Sequence, residues 1–226
     1  MSGAIAIFVK TPGLSPVKTR LAKNLGQTLA ESFHLAAACA VASVVQELRQ
    51  QLNIQAYYAV AEKAALQHDD WQDFPCIWQG EGGLGERMAH IYQHLLAKHD
   101  FVLLVGADIP QMTVTELYKA GTWLANKQAR LIFGPSLDGG FWVFGANCSL
   151  PTKAWTQVRY SEADTGTQFL NKVVGFGELK RLDELRDVDE VSDLLPLRDA
   201  LIHLTHPLPK QGELIHFLDK LSVHFS

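Results

Sequence analysis

The stretch "KTPGLSPVKTRLA", Lys10–Ala22, follows the apolar run "AIAIFV", Ala4–Val9, and decides how the fold is read. A short apolar run that ends at a Pro/Gly loop reads as a buried strand, here Ile5–Val9. Beyond the loop, Leu21–Leu52 has a helical pattern rich in Ala, Leu, Gln and Glu, and its centre, "FHLAAACAVASVV", is apolar on most faces. Strand, loop and helix in that order make the first unit of an α/β protein. The loop invites comparison with a P-loop, which needs G-x-x-x-x-G-K-[ST]. From Gly13 the chain runs through Leu14, Ser15, Pro16 and Val17 to Lys18-Thr19, so the second glycine and one residue are missing. Pro16 also removes an N–H from a loop whose use would be its N–H groups. What remains is three cations, Lys10, Lys18 and Arg20, around a helix start. They suit a polyphosphate, or they are a solvated loop. Spacing alone does not separate the two.

Working outward, Ile54–Ala61 and Cys76–Gln79 read as strands, with a polar and aromatic loop at Asp69–Pro75 between them. Gly85–Lys98 is an amphipathic helix. Phe101–Val105, "FVLLV", is the continuous apolar run of a central strand. Thr113-x-x-Glu116 is a capping box that opens a helix to about Lys127. Arg130–Gly134 and Phe141–Phe144 are strands on either side of "PSLDGG", and Asp138-Gly139 between apolar runs is a hairpin signal. Beyond Gly145 the pattern is less regular. Alternating strands and helices predict a mostly parallel sheet covered on both faces. With 226 residues and no obvious linker, one domain over 1–226 is the expectation.

Apolar residues are 47% of the chain and charged residues 19%, the balance of a folded globule. A net charge of −4 with no basic half argues against a nucleic-acid partner. No apolar run reaches the ~18 residues of a membrane span, and the N-terminus lacks the pattern of a signal peptide. Cys39, Cys76 and Cys148 form no CxxC and no disulfide framework. They read as small buried hydrophobes in a reducing, cytoplasmic setting.

Four further motifs carry chemistry. "GEGGLGER" spells G-x-G-x-x-G through Gly80, Gly82 and Gly85 after a strand. Its position after the third strand, not the first, counts against a dinucleotide site. A Gly-rich loop still lets backbone approach a ligand, and Arg87 at the helix start could meet a phosphate. In "LLVGADIP" the central strand ends at Asp108. A carboxylate at the carboxyl end of a parallel strand points into the crevice where α/β proteins bind ligands, and it is a natural Mg²⁺ or Mn²⁺ ligand. In "RDVDEVSDL", Asp187 and Asp189 share one face of an extended segment and could meet Asp108 around one cation. Alternatively, Asp189 caps a helix over Glu190–Ala200. In "PSLDGGFWVFG" the paired glycines suit a floor under a sugar or ribose. A fifth pattern, Glu86, His90 and His94 at i, i+4 and i+8, could bind Zn²⁺ but fits the wet face of an amphipathic helix better.

Taken together, "IAIFVKTPGLSPVKTRLAKNLG", "GGLGERM", "VGADIP" and "GPSLDGGFWVFG" resemble, in order and spacing, the DUF2064 family of GT-A-like proteins. That family is similar to the phospholactate and molybdenum-cofactor guanylyltransferases. "DVDEVSDL" is similar to the D-x-D-T-P-x-D-L segment of many GT-A nucleotidyltransferases. The resemblance implies a three-layer α/β/α fold with a mixed, mainly parallel sheet, that of the nucleotide-diphospho-sugar transferases. It implies that Thr11, Pro12, Gly13, Lys18 and Arg20 wrap a nucleotide, together with Gly85 and Arg87. It puts a metal at Asp108, Asp187 and Asp189, and the acceptor at Asp138, Gly139 and Gly140. The chain departs from the family form at Ile109, where Cys is usual, and at Arg159–Asp164, "RYSEAD", where a Trp-Ser-Thr cluster is common.

The implied activity is a Mg²⁺- or Mn²⁺-dependent transfer from a nucleotide or nucleotide-sugar donor to a small acceptor. Lys18, Arg20 and Asp108 would serve the chemistry, with Asp138 as a possible base. Glycosyl transfer leads, nucleotidyl transfer with release of pyrophosphate is the alternative, and a non-catalytic nucleotide-binding domain is a third reading.

Overall fold

The computed structural model describes residues 1–222. Among the described residues seven strands form one sheet: β1 (Gly3–Val9), β2 (Ile54–Val60), β3 (Cys76–Trp78), β4 (Phe101–Gly106), β5 (Arg130–Pro135), β6 (Phe141–Ala146) and β7 (Glu178–Arg181). Their spatial order is β3-β2-β1-β4-β6-β5-β7. β1 pairs in parallel with β2 and β4, β2 with β3, and β5 with β7. β6 is antiparallel to both β4 and β5, because Ser136–Gly140 turns the chain straight back, as Asp138-Gly139 led us to expect. The sheet is therefore mixed and mainly parallel.

Helices cover both faces. α1 (Thr19–Leu25), α2 (Gln27–Gln51) and α4 (Val114–Leu124) belong to one side, α3 (Leu84–Leu96), α5 (Thr152–Thr156) and α6 (Thr165–Val173) to the other. β1 shows why the two sides differ. Ile5, Ile7 and Val9 join the α2 and α4 core, whereas Ala4 and Ala6 face α3. The two-residue period of a strand sends branched side chains one way and alanines the other.

α2 has the length and apolarity that a membrane span also has. Here its apolar faces are covered twice. Ala38, Val41 and Val45 pack on the sheet, while Phe33, Ala37 and Ala40 pack with α7 (Leu194–Ile202) and α8 (Pro209–Ser222). Burying a side chain such as Phe33 on that second face stabilises by roughly 1.5–3 kcal/mol, which is why an all-round apolar helix is stable in this position.

The helix read as continuous over Leu21–Leu52 is two helices. Gly26, at φ 83°, sits between α1 and α2 in a conformation that L side chains rarely adopt. The capping box at Thr113 and Glu116 forms as read, and α4 ends earlier, at Leu124. The helix expected over Glu190–Ala200 begins instead with a 3₁₀ turn at Val191–Asp193 before α7. Asp189 does not cap it: the Asp193 carboxylate accepts from the N–H groups of Asp189 and Glu190. β7 escaped the sequence reading because "ELKR" is a short polar edge strand with no alternation of its own. The cysteines also differ from expectation: Cys39 is exposed, and Cys76 and Cys148 are partly so.

Candidate functional site

The carboxyl ends of β1 and β4 face a cleft formed by two adjoining cavities. The first opens between β1, α1 and the start of α3, with a volume of about 700 Å³. The second, about 320 Å³, lies beside it between β4, β6 and the segment around Asp187. Phe8, Leu84, Gly106, Asp108, Ser161 and Asp189 line both.

The first cavity is cationic. Lys10, Lys18, Arg20 and Arg87 line it, and His34 stands at its wall. Lys18 is the pivot. It has φ 44° and ψ 46°, left-handed for a residue with a Cβ, a strain of about 1–3 kcal/mol. That turn sends the side chain inward, where only 7% of it is exposed. Its ammonium donates to Asp108 at 3.0 Å and to Asp189 at 3.2 Å. Burial alone would lower its pKa, but the two carboxylates outweigh that and hold it above the ordinary lysine value. Asp108 mirrors this: burial pushes it up, and Lys18 prevails and holds it below the ordinary aspartate value. Arg20 reaches Asp189 at 3.6 Å and is largely exposed. The loop before Lys18 is anchored from behind. Thr11 is fully buried; its N–H donates to Glu62, and its hydroxyl accepts from Trp71. The His34 ring donates from Nε2 to the Lys10 carbonyl at 2.8 Å, and burial lowers its pKa, keeping it neutral.

The opposite wall is Gly-rich. Gly82, at φ 92°, and Gly83 lead into α3, whose N-terminus no side chain caps. Free N–H groups at a helix start attract anions. Arg87 is held there by a 2.9 Å bond from Nε to the Gly82 carbonyl.

The second cavity is acidic and apolar. Asp138 and Asp187 line it with the shared Asp108 and Asp189. Asp187 and Asp189 do share a face, because Val188 between them is fully buried. The segment is fixed beside β5 by bonds from the Leu182 N–H to the Phe133 carbonyl and from the Leu185 N–H to the Pro135 carbonyl, and it is closed on itself by the Arg186–Asp193 ion pair at 3.0 Å. Gly106 matters here: a Cβ on it would lie 2.7 Å from the Asp108 carboxylate. The Asp187 pKa is pushed up to about 7, first by burial and then by Asp138, Asp108 and Asp189. Among the described residues it has no cationic partner.

The sign of that shift gives a pH dependence. Between about pH 4 and 7 the metal-free native state holds a proton on Asp187 that the unfolded chain has lost, so stability falls as pH rises through that window. Allowing for solvent screening, the loss is about 1–2 kcal/mol. Thermal midpoints from pH 4 to 8 check this: the decline is expected in the wild type and reduced in Asp187→Asn.

The acids fit a divalent cation in kind, since Mg²⁺ and Mn²⁺ favour carboxylate oxygens, and Asp187 lacks countercharge. The arrangement is not a ready cage. Among the described residues no three His, Cys, Asp or Glu side chains are grouped to hold an ion, and the Lys18 ammonium bridges Asp108 and Asp189. A bound cation would share these oxygens with Lys18.

The other expected site residues fall as follows. Thr11, Pro12 and Gly13 line neither cavity: Thr11 is structural, and Gly13, at φ 81°, belongs to a turn closed onto the Thr11 carbonyl. Gly85 also stands back. A Cβ on it would collide with the Trp155 carbonyl and the Tyr160 ring, so it is a packing glycine. Gly139, at φ 89°, lies against the Ala163 carbonyl, and Gly140 alone of the pair lines the acidic cavity. Asp138 accepts from Ser136 Oγ at 2.6 Å and Gly140 N–H at 2.8 Å, which shapes the turn. His90 and His94 stack on the outer face of α3, with His94 paired to Lys98, away from the cleft. The sequence reading missed Phe8, His34, Ser161 and Thr165. Of these only Ser161, at φ 64° within the aberrant "RYSEAD" segment, left a trace in the sequence.

No curated protein matches the chain. Among solved structures it is similar to a protein of Desulfovibrio desulfuricans G20 provisionally described as a nucleotide-diphospho-sugar transferase. The two are 25% identical, with a TM-score of 0.85 over 100% of this chain and 99% of that one. It shares its fold with a cytidylyltransferase from Leptospira borgpetersenii serovar Hardjo-bovis: 11% identity, TM-score 0.53, 99% of this chain and 96% of that one. It does so too with a nucleotidyl transferase from Methanothermobacter thermautotroptrophicus: 12% identity, TM-score 0.54, 86% of this chain and 96% of that one. The family profile described as "Uncharacterized protein conserved in bacteria (DUF2064)" matches residues 40–162. The chain belongs to this DUF2064 family and has the α/β fold of the nucleotide-diphospho-sugar transferases.

Proposed function

We propose that this chain is a transferase that takes a nucleotide-activated donor, and that it moves a sugar from a nucleotide sugar to a small acceptor. One observation carries the reading: a cationic cavity and an acidic cavity meet at the carboxyl ends of parallel strands and share Asp108 and Asp189. The donor's phosphates belong in the first. Lys18 and Arg20 press on them from one wall, and Arg87 in the first turn of α3 presses from the other. The acceptor belongs in the second.

In glycosyl transfer an acceptor oxygen bonds to the sugar's anomeric carbon. The bond from that carbon to the diphosphate oxygen breaks, and its electron pair leaves with the nucleoside diphosphate. The acceptor proton passes to a carboxylate, with Asp138 and Asp187 at hand, or to water. Lys18 and Arg20 stabilise the charge that builds on the leaving phosphates. They do so without reorganising, because Lys18 is already held in place. The cleft aligns the two reactants and keeps the approach short. A Mg²⁺ or Mn²⁺ ion held by Asp108, Asp187 and Asp189 would supply further positive charge to the diphosphate.

Nucleotidyl transfer is the second reading. It is favoured by the single acid at the end of β4 and by the fold shared with the two nucleotidyltransferases. In that case an acceptor oxygen attacks the α-phosphorus and pyrophosphate leaves. Incubating the protein with nucleotide sugars and, separately, with nucleoside triphosphates, each with Mn²⁺ and a pool of small acceptors, separates the two. Glycosyl transfer is expected to release nucleoside diphosphate from a nucleotide sugar in an acceptor-dependent way. Release of pyrophosphate instead would replace the first reading with the second.

A further inference from the structure

The acidic cavity limits what its occupant can be. Among the described residues its wall contains no Lys, Arg or His. Lys18 and Arg20 reach Asp108 and Asp189 from the neighbouring cavity. Asp138 and Asp187 have no cationic partner among the described residues. Most of the wall's donors are also already engaged, with the Ser161 hydroxyl left over. Ser136 Oγ and the Gly140 N–H already donate to Asp138. Tyr160 donates to the Trp155 carbonyl, and the single Thr165 hydroxyl proton is taken up between the carbonyls of Arg159 and Glu162. Between the carboxylates the wall is apolar, with Phe8, Leu84, Met88, Phe141 and the Tyr160 ring.

We propose that the acceptor is an uncharged or cationic small molecule with an apolar face, and that phosphorylated and carboxylated acceptors are excluded. The inference rests on the reading of the second cavity as the acceptor site. Its physical basis is that a phosphate or carboxylate there would meet the Asp138 carboxylate with no cation beside it, and the few donors of the wall would not offset that repulsion. A hydroxyl or ammonium group would instead donate to Asp138 while its apolar face lies on Phe8, Leu84 and Met88. The selectivity is therefore built into the wall and does not wait for the donor.

Three probes of similar shape test this: 2-phenylethylamine, 2-phenylethanol and phenylacetate, carrying positive, zero and negative charge. Binding is read from NMR shifts of the Gly140 amide and the Trp142 indole, with and without nucleoside diphosphate and Mn²⁺. The amine is expected to bind at least tenfold more tightly than phenylacetate, with the alcohol between. Asp138→Asn, which keeps the acceptor oxygen of the turn, is expected to narrow that gap at least threefold. Equal or tighter binding of phenylacetate overturns the proposal, as does failure of all three to bind up to their solubility. The nucleotide reading stands or falls separately. If phenylacetate wins while nucleoside diphosphate still binds, only the acceptor inference fails. If the amine wins and no nucleotide binds, the charge selectivity stands and the transferase reading fails.

Discussion

The double variant Lys18→Ala/Arg20→Ala is expected to bind nucleoside diphosphate at least a hundredfold more weakly than the wild type. Charge-assisted hydrogen bonds contribute about 1.5–3 kcal/mol each, and two of them approach three orders of magnitude at about 1.4 kcal/mol per tenfold. A second effect adds to the first. Without the Lys18 ammonium, Asp108 and Asp189 lose their 3.0 Å and 3.2 Å partner and turn bare carboxylates toward the phosphates. The residual binding should depend less steeply on salt, since fewer fixed cations take part. Calorimetric titrations at two ionic strengths measure both quantities. Unchanged affinity would return Lys18 to a purely structural role, that of tying α1 to β4 and to the segment around Asp189.

Asp108→Ala is expected to abolish the divalent-ion-dependent part of nucleotide binding and to lower turnover by at least a hundredfold, the scale for removing one preorganised electrostatic group. Asp108 is also the stronger of the two anchors for Lys18. Without it, burial acts on the ammonium with only Asp189 opposing, so the Lys18 charge weakens as well. Asp108→Asn separates the two roles. It preserves shape and one acceptor oxygen, so the loop should keep its place while metal-dependent binding is lost. Titration with nucleotide in Mn²⁺ and in chelator checks this; equal binding of Asp108→Ala in both media, at wild-type strength, contradicts the metal assignment.

The fold was legible in the chain because its central strands are apolar in ways that only a covered sheet tolerates. Phe101–Val105 is buried on both faces, and Ile5, Ile7 and Val9 alternate with Ala4 and Ala6. Single backbone angles were less legible. Nothing in "LAKNLGQTLA" announces that Gly26 breaks the helix rather than riding within it. The acids and cations of the cleft could be named from where their strands end, since Asp108 lies two residues past β4, and Lys18 immediately precedes α1. Their division of labour could not. Lys18 serves as counterion to two carboxylates roughly 90 and 170 positions away, a relation that no local pattern encodes. Thr11 and Gly85 line neither cavity for a related reason. Both stand inside phosphate-like loops, yet Thr11 is turned inward by Trp71 and Glu62, and Gly85 is small because Trp155 lies against it. Residues such as Phe8 and Thr165 gained a place in the cleft only through tertiary packing.

The central claim is that the cavity around Lys18 holds the phosphates of a nucleotide donor. Thermal unfolding with each nucleoside diphosphate, in Mn²⁺ and in chelator, tests it most directly. A ligand at a hundred times its Kd stabilises by about 2.7 kcal/mol, which at roughly 2–4 °C per kcal/mol for a chain of this size is a rise of about 5–10 °C. The expected result is such a rise with at least one nucleotide in Mn²⁺, lost in Lys18→Ala/Arg20→Ala. No rise with any nucleotide, or a rise of the same size in the double variant, would contradict the account.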